Sequence, residues 1–315
     1  MAVAQQPILV ELKASTVMTN YAPAIDERAA VSQSGTTSRW SKRLSGVTWL
    51  IVALIITVTF AFPLYFMVVS SFKPDTQVLS NRIELIPTDF QGLLNFQRAF
   101  EVVPLARFFF NSALMAVIDV VVTVFFSALA GYGFAKFNFR GKRLMFGFIL
   151  IIMSIPFQIL LVPLFIQVRG FGWDDSYAGL IIPGIMNAFG VFMMRQFAYS
   201  IPDELLDAAR IDGASEFHIF WRIVFPLLSS ASASLAIIIF LWSWNNFLWP
   251  LIIIKNQDLA PIQVGITAFT QTHSSEPQWA VAMAVSTLAT LPVAVLFVFF
   301  QRYFIEGMLM SGIKG

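Results

Sequence analysis

The chain has no cysteine and only two histidines, and each scarcity removes a class of chemistry. Without cysteine there is no disulfide framework, no thiolate nucleophile and no sulfur-ligated metal. His218 and His273 fall in different segments, so no pair of imidazoles is set up for a metal. No Gly-Lys-Ser/Thr sequence occurs, and Gly131-Tyr132-Gly133 is a partial glycine pattern with no strand before it. A phosphate-cradling loop is therefore absent, and the chain is not expected to hydrolyse ATP itself. Charge is scarce too: 12% of residues are charged, against about a quarter in soluble domains. A net charge of +2 makes no case for a nucleic-acid partner.

What is present is apolar. The hydrophobic fraction is 57% and the mean hydropathy +0.75, which describes a polytopic membrane protein, and its apolar stretches of helix length make it all-α. A helix needs about 20 mostly apolar residues to cross the hydrocarbon, and six stretches qualify. They run from about 47 to 70, 108 to 135, 144 to 168, 177 to 197, 227 to 254 and 279 to 304. Pro63, Pro156, Pro163 and Pro183 interrupt them, so the freed backbone groups need partners within a packed bundle. Lys and Arg alternate in density between the connecting segments. Arg39, Lys42 and Arg43, then Lys136, Arg140, Lys142 and Arg143, then Arg210 and Arg222, then Arg302 and Lys314 all fall on one side. The positive-inside rule makes that side, with both termini, cytoplasmic. Trp173, Trp249 and Trp279 fall near the opposite boundary, where aromatic belts sit.

Residues 1–44 form a separate segment, rich in Ser, Thr, Gln and Ala over most of its length. Its apolar break Ile8-Leu9-Val10 is too short for a signal-peptide core. It reads as a mobile or weakly helical cytoplasmic extension ahead of a transmembrane domain over 45–315.

Between the fourth and fifth spans lies a polar island, residues 201–226. Ser200 suits a helix N-cap, Pro202 a first turn, and Asp203 and Glu204 the positive end of the helix dipole. Gly213 supplies a left-handed helix end, and a second short helix follows from Ser215 to near Pro226. Ala208, Ala209 and Gly213 leave room for another surface to approach. The plainer reading is an ordinary amphipathic cytoplasmic loop.

Asn111, Asp119, Gln158, Asn187, Asn245 and Asn246 lie within spans. Polar groups there face a cavity or a partner helix. Asp119 is open to three readings: a polar path, a proton relay, or a buried carboxyl paired with a neighbouring helix or kept neutral by desolvation. The run Trp242-Ser243-Trp244-Asn245-Asn246-Phe247-Leu248-Trp249-Pro250 mixes ring faces with amides. It could stack on and hydrogen-bond a sugar, or it could be tight packing.

The polar island resembles the EAA loop of ABC-importer permeases, standing here as Asp207-Ala208-Ala209, then Gly213 and Ile223-Val224-Phe225-Pro226. Its first position is Asp where the family has Glu. Further matches are Ser70-Ser71-Phe72-Lys73-Pro74-Asp75, Ala130-Gly131-Tyr132-Gly133-Phe134-Ala135-Lys136-Phe137, Ile155-Pro156, Val162-Pro163-Leu164, Trp244-Asn245-Asn246-Phe247-Leu248-Trp249-Pro250 and Gly312-Ile313-Lys314-Gly315. Together they resemble carbohydrate-importer permeases of the maltose-permease (MalG-like) type, from about residue 45 onward.

The resemblance implies six transmembrane helices with a cytoplasmic EAA coupling-helix loop, in the bacterial inner membrane. It implies a homologous second permease subunit (MalF-like), two ATPase subunits that hold ATP-Mg, and an extracytoplasmic solute-binding protein. No cofactor is expected on this chain, whose environment is membrane lipid and whose cargo is a sugar, most simply a di- or oligosaccharide. Glu204, Asp207, Ala208, Ala209, Asp212 and Gly213 are the expected ATPase-coupling residues, with Gly312 to Gly315 as a second contact. Gln158, Asn187, Trp244, Asn245 and Asn246 are the candidate translocation path. The competing class is a proton-driven secondary carrier without ATPase partners. An intramembrane enzyme lacks any paired nucleophile and base.

Overall fold

The computed structural model describes residues 39–80, 84–270 and 278–312, with side chains between 47 and 301. Most of the N-terminal extension and the last three residues lie outside the described residues. Among those described there are helices and turns and no strand. In order they are α1 (Arg39–Ser70), α2 (Asp75–Val78), α3 (Leu94–Val102), α4 (Leu105–Lys136), α5 (Lys142–Ser154), α6 (Phe157–Gly170), α7 (Tyr177–Ile185), α8 (Ala188–Tyr199), α9 (Asp203–Ile211) and α10 (Glu216–Ile219). A π-helical turn at Phe220–Val224 leads to α11 (Phe225–Leu227), α12 (Ser229–Trp244) and α13 (Leu248–Ile253). A 3-10 turn at Gln257–Leu259, α14 (Ile262–Gly265), α15 (Thr267–Thr270) and α16 (Trp279–Gly312) complete the chain.

By its contacts the chain divides within α1, into residues 1–60 and 61–315. The first unit's described side chains, from Val47 to Phe60, are exposed, Leu50 at 70% and Phe60 at 76%. Such a surface needs lipid or protein around it. The Thr57 and Thr59 hydroxyls donate to carbonyls four residues back, so they cost nothing in an apolar surround.

Four of the six expected spans are helices long and apolar enough to cross a membrane: Val47–Ser70, Leu105–Lys136, Tyr177–Tyr199 and Trp279–Gln301. The other two are not straight. The third bends by 104° between α5 and α6. The fifth is α12 and α13 with a break at residues 245–247, and α12 stands at 75° to the helical stretch of residues 216–227 that precedes it. Ile155 is extended (ψ 121°) ahead of Pro156, as a residue before proline is steered away from helix. Pro163 and Pro183 sit inside helices without ending them.

In the second unit α4 is the axis. Three apolar clusters surround it: one with α8, α12 and the polar island, one with α12, α14 and α16, and one with α6, α7 and α13. Its approach to α8 is too close for larger residues. A Cβ on Gly131 would meet the Arg195 backbone nitrogen at 2.7 Å, and one on Gly190 the Ser127 hydroxyl at 2.3 Å. Lipid supplies no hydrophobic drive between helices, so small residues and backbone proximity hold such a pair. Gly131 is thus a packing residue, in keeping with the absence of a phosphate loop.

Buried polar groups staple the connections. Asn111 is fully buried; its Nδ2 donates to the carbonyls of Asp258 and Ala260, and its Oδ1 accepts from Tyr177. After α1, Asn95 Nδ2 donates to the carbonyls of Ser71 and Lys73, and Asp75 Oδ1 accepts from the Ala280 backbone at the start of α16. Lys73 is 1% exposed, donates to the Glu84 carbonyl and lies 5.1 Å from the Phe66 ring centroid. The Ser70–Asp75 motif is therefore a packing knot.

Candidate functional site

The polar island forms a two-helix loop welded to the end of α4. Ser200 does not cap α9; its hydroxyl donates to the Phe197 carbonyl and closes α8, leaving Pro202 in the N-cap position without a side-chain bond. The reason is local: Ser200 has a helical ψ of −10° and belongs to the preceding helix end. Gly213 has φ +81°, the Ala214 N–H returns to the Ala209 carbonyl, and the Gly213 N–H to that of Arg210. That pair of bonds is a Schellman helix end. Ser215 caps α10 by accepting from the His218 N–H. The chain then continues through the π-helical turn to Leu227, one residue past Pro226.

Two kinds of contact hold the loop. Leu206, Ile219 and Phe220 are buried in the cluster with α4 and α8, and a fully buried Leu is worth about 1.5–3 kcal/mol. Alongside runs a polar chain. The Tyr132 hydroxyl donates to Glu216 Oε2 at 2.9 Å, Glu216 accepts from Arg210 at 2.7 Å, and Arg210 also donates to Asp207 at 2.7 Å. Those hydrogen bonds, from Glu216 first and then Asp207, push the Arg210 pKa further up and keep it charged. Lys136, 5% exposed, pairs with Asp203 at 2.8 Å. Half-exposed ion pairs contribute at most about 1 kcal/mol each. Leu206, Ile219 and Phe220 together carry most of the anchoring, and the ion pairs set orientation.

The expected coupling residues separate into two groups. Asp207 is engaged within the loop through Arg210. Glu204, Ala208, Asp212 and Gly213 are exposed, Ala209 half-buried, and a Cβ on Gly213 would meet open space. Beside them Leu205 is 43%, Ile211 86% and Phe217 63% exposed. These three were not singled out from sequence, although Leu205, Ala208 and Ile211 recur at helical spacing on one face.

The candidate path residues are not brought together. Gln158 is exposed on α6 and lines neither recess described next. Asn187 caps α8, its Oδ1 accepting from the Gly190 N–H, and borders an apolar recess with Phe126, Met145 and Phe148. Trp244 is 3% exposed, donates Nε1 to the Ala289 carbonyl and stacks on Phe240. It is a packing anchor, as is Trp249, 2% exposed with Nε1 on the Gly179 carbonyl, which removes it from the expected aromatic belt. Buried indoles are drawn inward because each finds an acceptor there. Asn246 is half-buried where α12 stops. Asn245 borders a second recess of about 250 Å³ with Gln263, Ser286 and Thr290. Those three were missed because their segments carry no motif. Asp119 Oδ2 accepts from Ser243 at 2.5 Å, which favours the reading of a carboxyl paired with a neighbouring helix. Among the described residues no cluster of His, Asp or Glu could hold a metal.

Comparison with known proteins gives this arrangement relatives. Residues 123–309, which include the loop and the recess, match the binding-protein-dependent transport system inner membrane component family. The chain is 35% identical over 264 residues to the arabinooligosaccharides transport system permease protein AraQ of Bacillus subtilis, covering 83% of this chain and 93% of that one. It is 32% identical over 250 residues to the lactose transport system permease protein LacG of Rhizobium radiobacter, covering 79% and 90%. In fold it resembles a bacterial ABC transporter involved in the import of the acidic polysaccharide alginate, with TM-score 0.76 at 23% identity over 85% of this chain and 98% of that one. A multi-pass helical bundle without a nucleotide loop, carrying an anchored polar helix pair and matching these permeases along most of its length, belongs to the inner-membrane permease family of binding-protein-dependent transport systems.

Proposed function

We propose that this chain is one of two permease halves of an ATP-driven importer of oligosaccharides, coupled to its motor through α9. The observation that carries the reading is the build of the loop. One face is sunk into the bundle through Leu206, and the opposite face presents Leu205, Ala208 and Ile211 to whatever lies beyond. Exposed apolar side chains on an anchored helix suit a partner's cleft. Nucleotide shifts an inward–outward equilibrium only through contacts that differ between the two states, and a helix rigidly tied to α4 would transmit such a difference.

In this reading the partners are a homologous permease, two ATPase subunits that bind ATP-Mg, and a solute-binding protein on the far side. The chain itself holds no cofactor. Both termini and the α9 loop face the cytoplasm, as the basic residues direct. Oligosaccharide cargo is supported by the names of AraQ and LacG. The test is Ile211→Asp in the complete complex. Burying an unpaired carboxylate in a partner's cleft costs several kcal/mol, so the ATPase is expected to be lost on purification while the permease pair remains. Full retention of the ATPase with normal uptake would refute docking through α9.

A further inference from the structure

We infer that the recess bordered by Asn245, Gln263, Ser286 and Thr290 binds one neutral sugar unit of the cargo; this rests on the importer reading above. Three observations carry it. First, one wall of the recess is a helix end and the other a helix turn that lacks one backbone hydrogen bond. The helix α12 ends at Trp244, directly before Asn245, and α16 contains Pro292. Proline lacks the N–H that the Leu288 carbonyl would accept, so one carbonyl of α16 beside the recess has no helical donor. Trp244 Nε1 donates to the next carbonyl, that of Ala289, and so ties the end of α12 to α16 beside Pro292. Breaks in membrane helices are tolerated where they line a cavity, and solute sites form at them.

Second, the depth fits. Ser286 and Thr290 lie seven and eleven residues from Trp279, the start of α16. At 1.5 Å per residue that is about 10 and 16 Å along α16 from Trp279, which the aromatic-belt expectation places at the outer edge of a hydrocarbon layer about 30 Å thick. Amides and hydroxyls at that depth need partners. Asn245 Nδ2 is taken by the Leu241 carbonyl and the Thr290 hydroxyl by the Ser286 carbonyl. The oxygen of the Asn245 side chain, the Gln263 amide and the Ser286 hydroxyl are left to meet a solute.

Third, the lining is electroneutral. Its remaining members are Ile266, Ala289 and Val293, and no lining residue is charged. A ring with hydroxyl edges and apolar C–H faces matches amides beside aliphatic side chains. A uronate or phosphate would lose its hydration with no counter-charge in return. The volume, about 250 Å³, is just under the roughly 300–1,000 Å³ of whole-ligand pockets, which suits one ring of a longer chain.

The chain's lack of cysteine makes a direct test possible. The complete complex with Ser286→Cys is placed in proteoliposomes, and alkylation at position 286 is followed by mass spectrometry. Millimolar lactose and arabinotriose serve as neutral probes and digalacturonate as the anionic one. At least threefold slowing of alkylation by a neutral probe and none by digalacturonate is expected. In parallel, Gln263→Leu is expected to lower uptake of the transported neutral probe about tenfold, the size of one or two lost hydrogen bonds. Equal protection by digalacturonate overturns the neutral preference. Absence of protection by every probe, with Gln263→Leu uptake unchanged, overturns the site while leaving the importer intact. Wild-type ATP hydrolysis that the binding protein fails to stimulate overturns the importer reading itself.

Discussion

The Tyr132 hydroxyl donates a 2.9 Å hydrogen bond to Glu216, joining the last turns of α4 to the second helix of the polar loop. Tyr132 is 3% exposed and belongs to the α4 cluster, whereas Glu216 faces the Arg210 guanidinium. The bond is where a buried helix end meets the loop's charged chain. Movement of one side must strain or break it.

Tyr132→Phe keeps the ring packed against Phe137 and Phe220 and removes only the hydroxyl. A hydrogen bond to a charged group is worth about 1.5–3 kcal/mol when buried; with Glu216 half exposed, about 1 kcal/mol is expected here. Amide exchange in residues 203–219 should speed up several-fold, and ATP hydrolysis should become less dependent on the binding protein. Unchanged exchange would show that the apolar contacts of Leu206, Ile219 and Phe220, with the Lys136–Asp203 pair, fix the loop without this bond.

At Gly213 strain and bulk can be separated. Its φ of +81° disfavours any Cβ, yet the space around it is open. Gly213→Asn should therefore cost well under 1 kcal/mol and Gly213→Val about 1–2 kcal/mol, since asparagine tolerates the left-handed region and β-branched residues do not. Sugar-stimulated ATP hydrolysis by the two variants should fall in that order. Equal, severe loss in both would mean that a partner surface fills the open space.

Asp119 bears on the energy source. Its Oδ2 accepts from Ser243, and the other oxygen is buried without a partner among the described residues. Asp119→Asn retains an acceptor for Ser243 and should keep at least half of the ATP-driven uptake, with or without an uncoupler. Uptake abolished by the uncoupler while ATP is intact would support the proton-driven carrier instead.

Asp175 is a pH-sensitive staple on the loop before α7. It holds φ +54° and accepts the backbone N–H groups of Lys255 and Asn256, each at 2.8 Å. The Asn256 bond first, then that of Lys255, holds its carboxyl below the usual carboxylate range. A depressed folded pKa means that the staple is fully present above the unfolded value and is lost as pH falls through the folded one. Protection of the Lys255 and Asn256 amides should therefore persist until acid pH below the ordinary aspartate range. Asp175→Asn, which tolerates the same backbone, should abolish that pH dependence.

Sequence alone determined the class, the positions of the apolar segments, the absence of a nucleotide loop and the left-handed end at Gly213. Each depends on hydropathy, helical spacing or a single residue's backbone freedom, which are local properties. Tertiary structure decided what those properties leave open. Pro156 marked an interruption in advance, but the size of the 104° turn goes with the different partners of its two arms, α8 for α5 and α13 for α6. Trp244 and Trp249 looked equally able to meet sugar, lipid or protein, and their indoles were settled by the carbonyls of Ala289 and Gly179, 45 and 70 residues away. Asn187 and Asn245 look alike as amides within spans, yet one caps α8 beside an apolar recess and the other borders a polar one. Asp207 carried the motif's charge, but Arg210 already holds it, through a chain that reaches Tyr132, 84 residues from Glu216. Where a polar side chain finds its partner depends on which helices meet. That is fixed by small residues such as Gly131 and Gly190 acting across the fold, and no local pattern encodes the pairing.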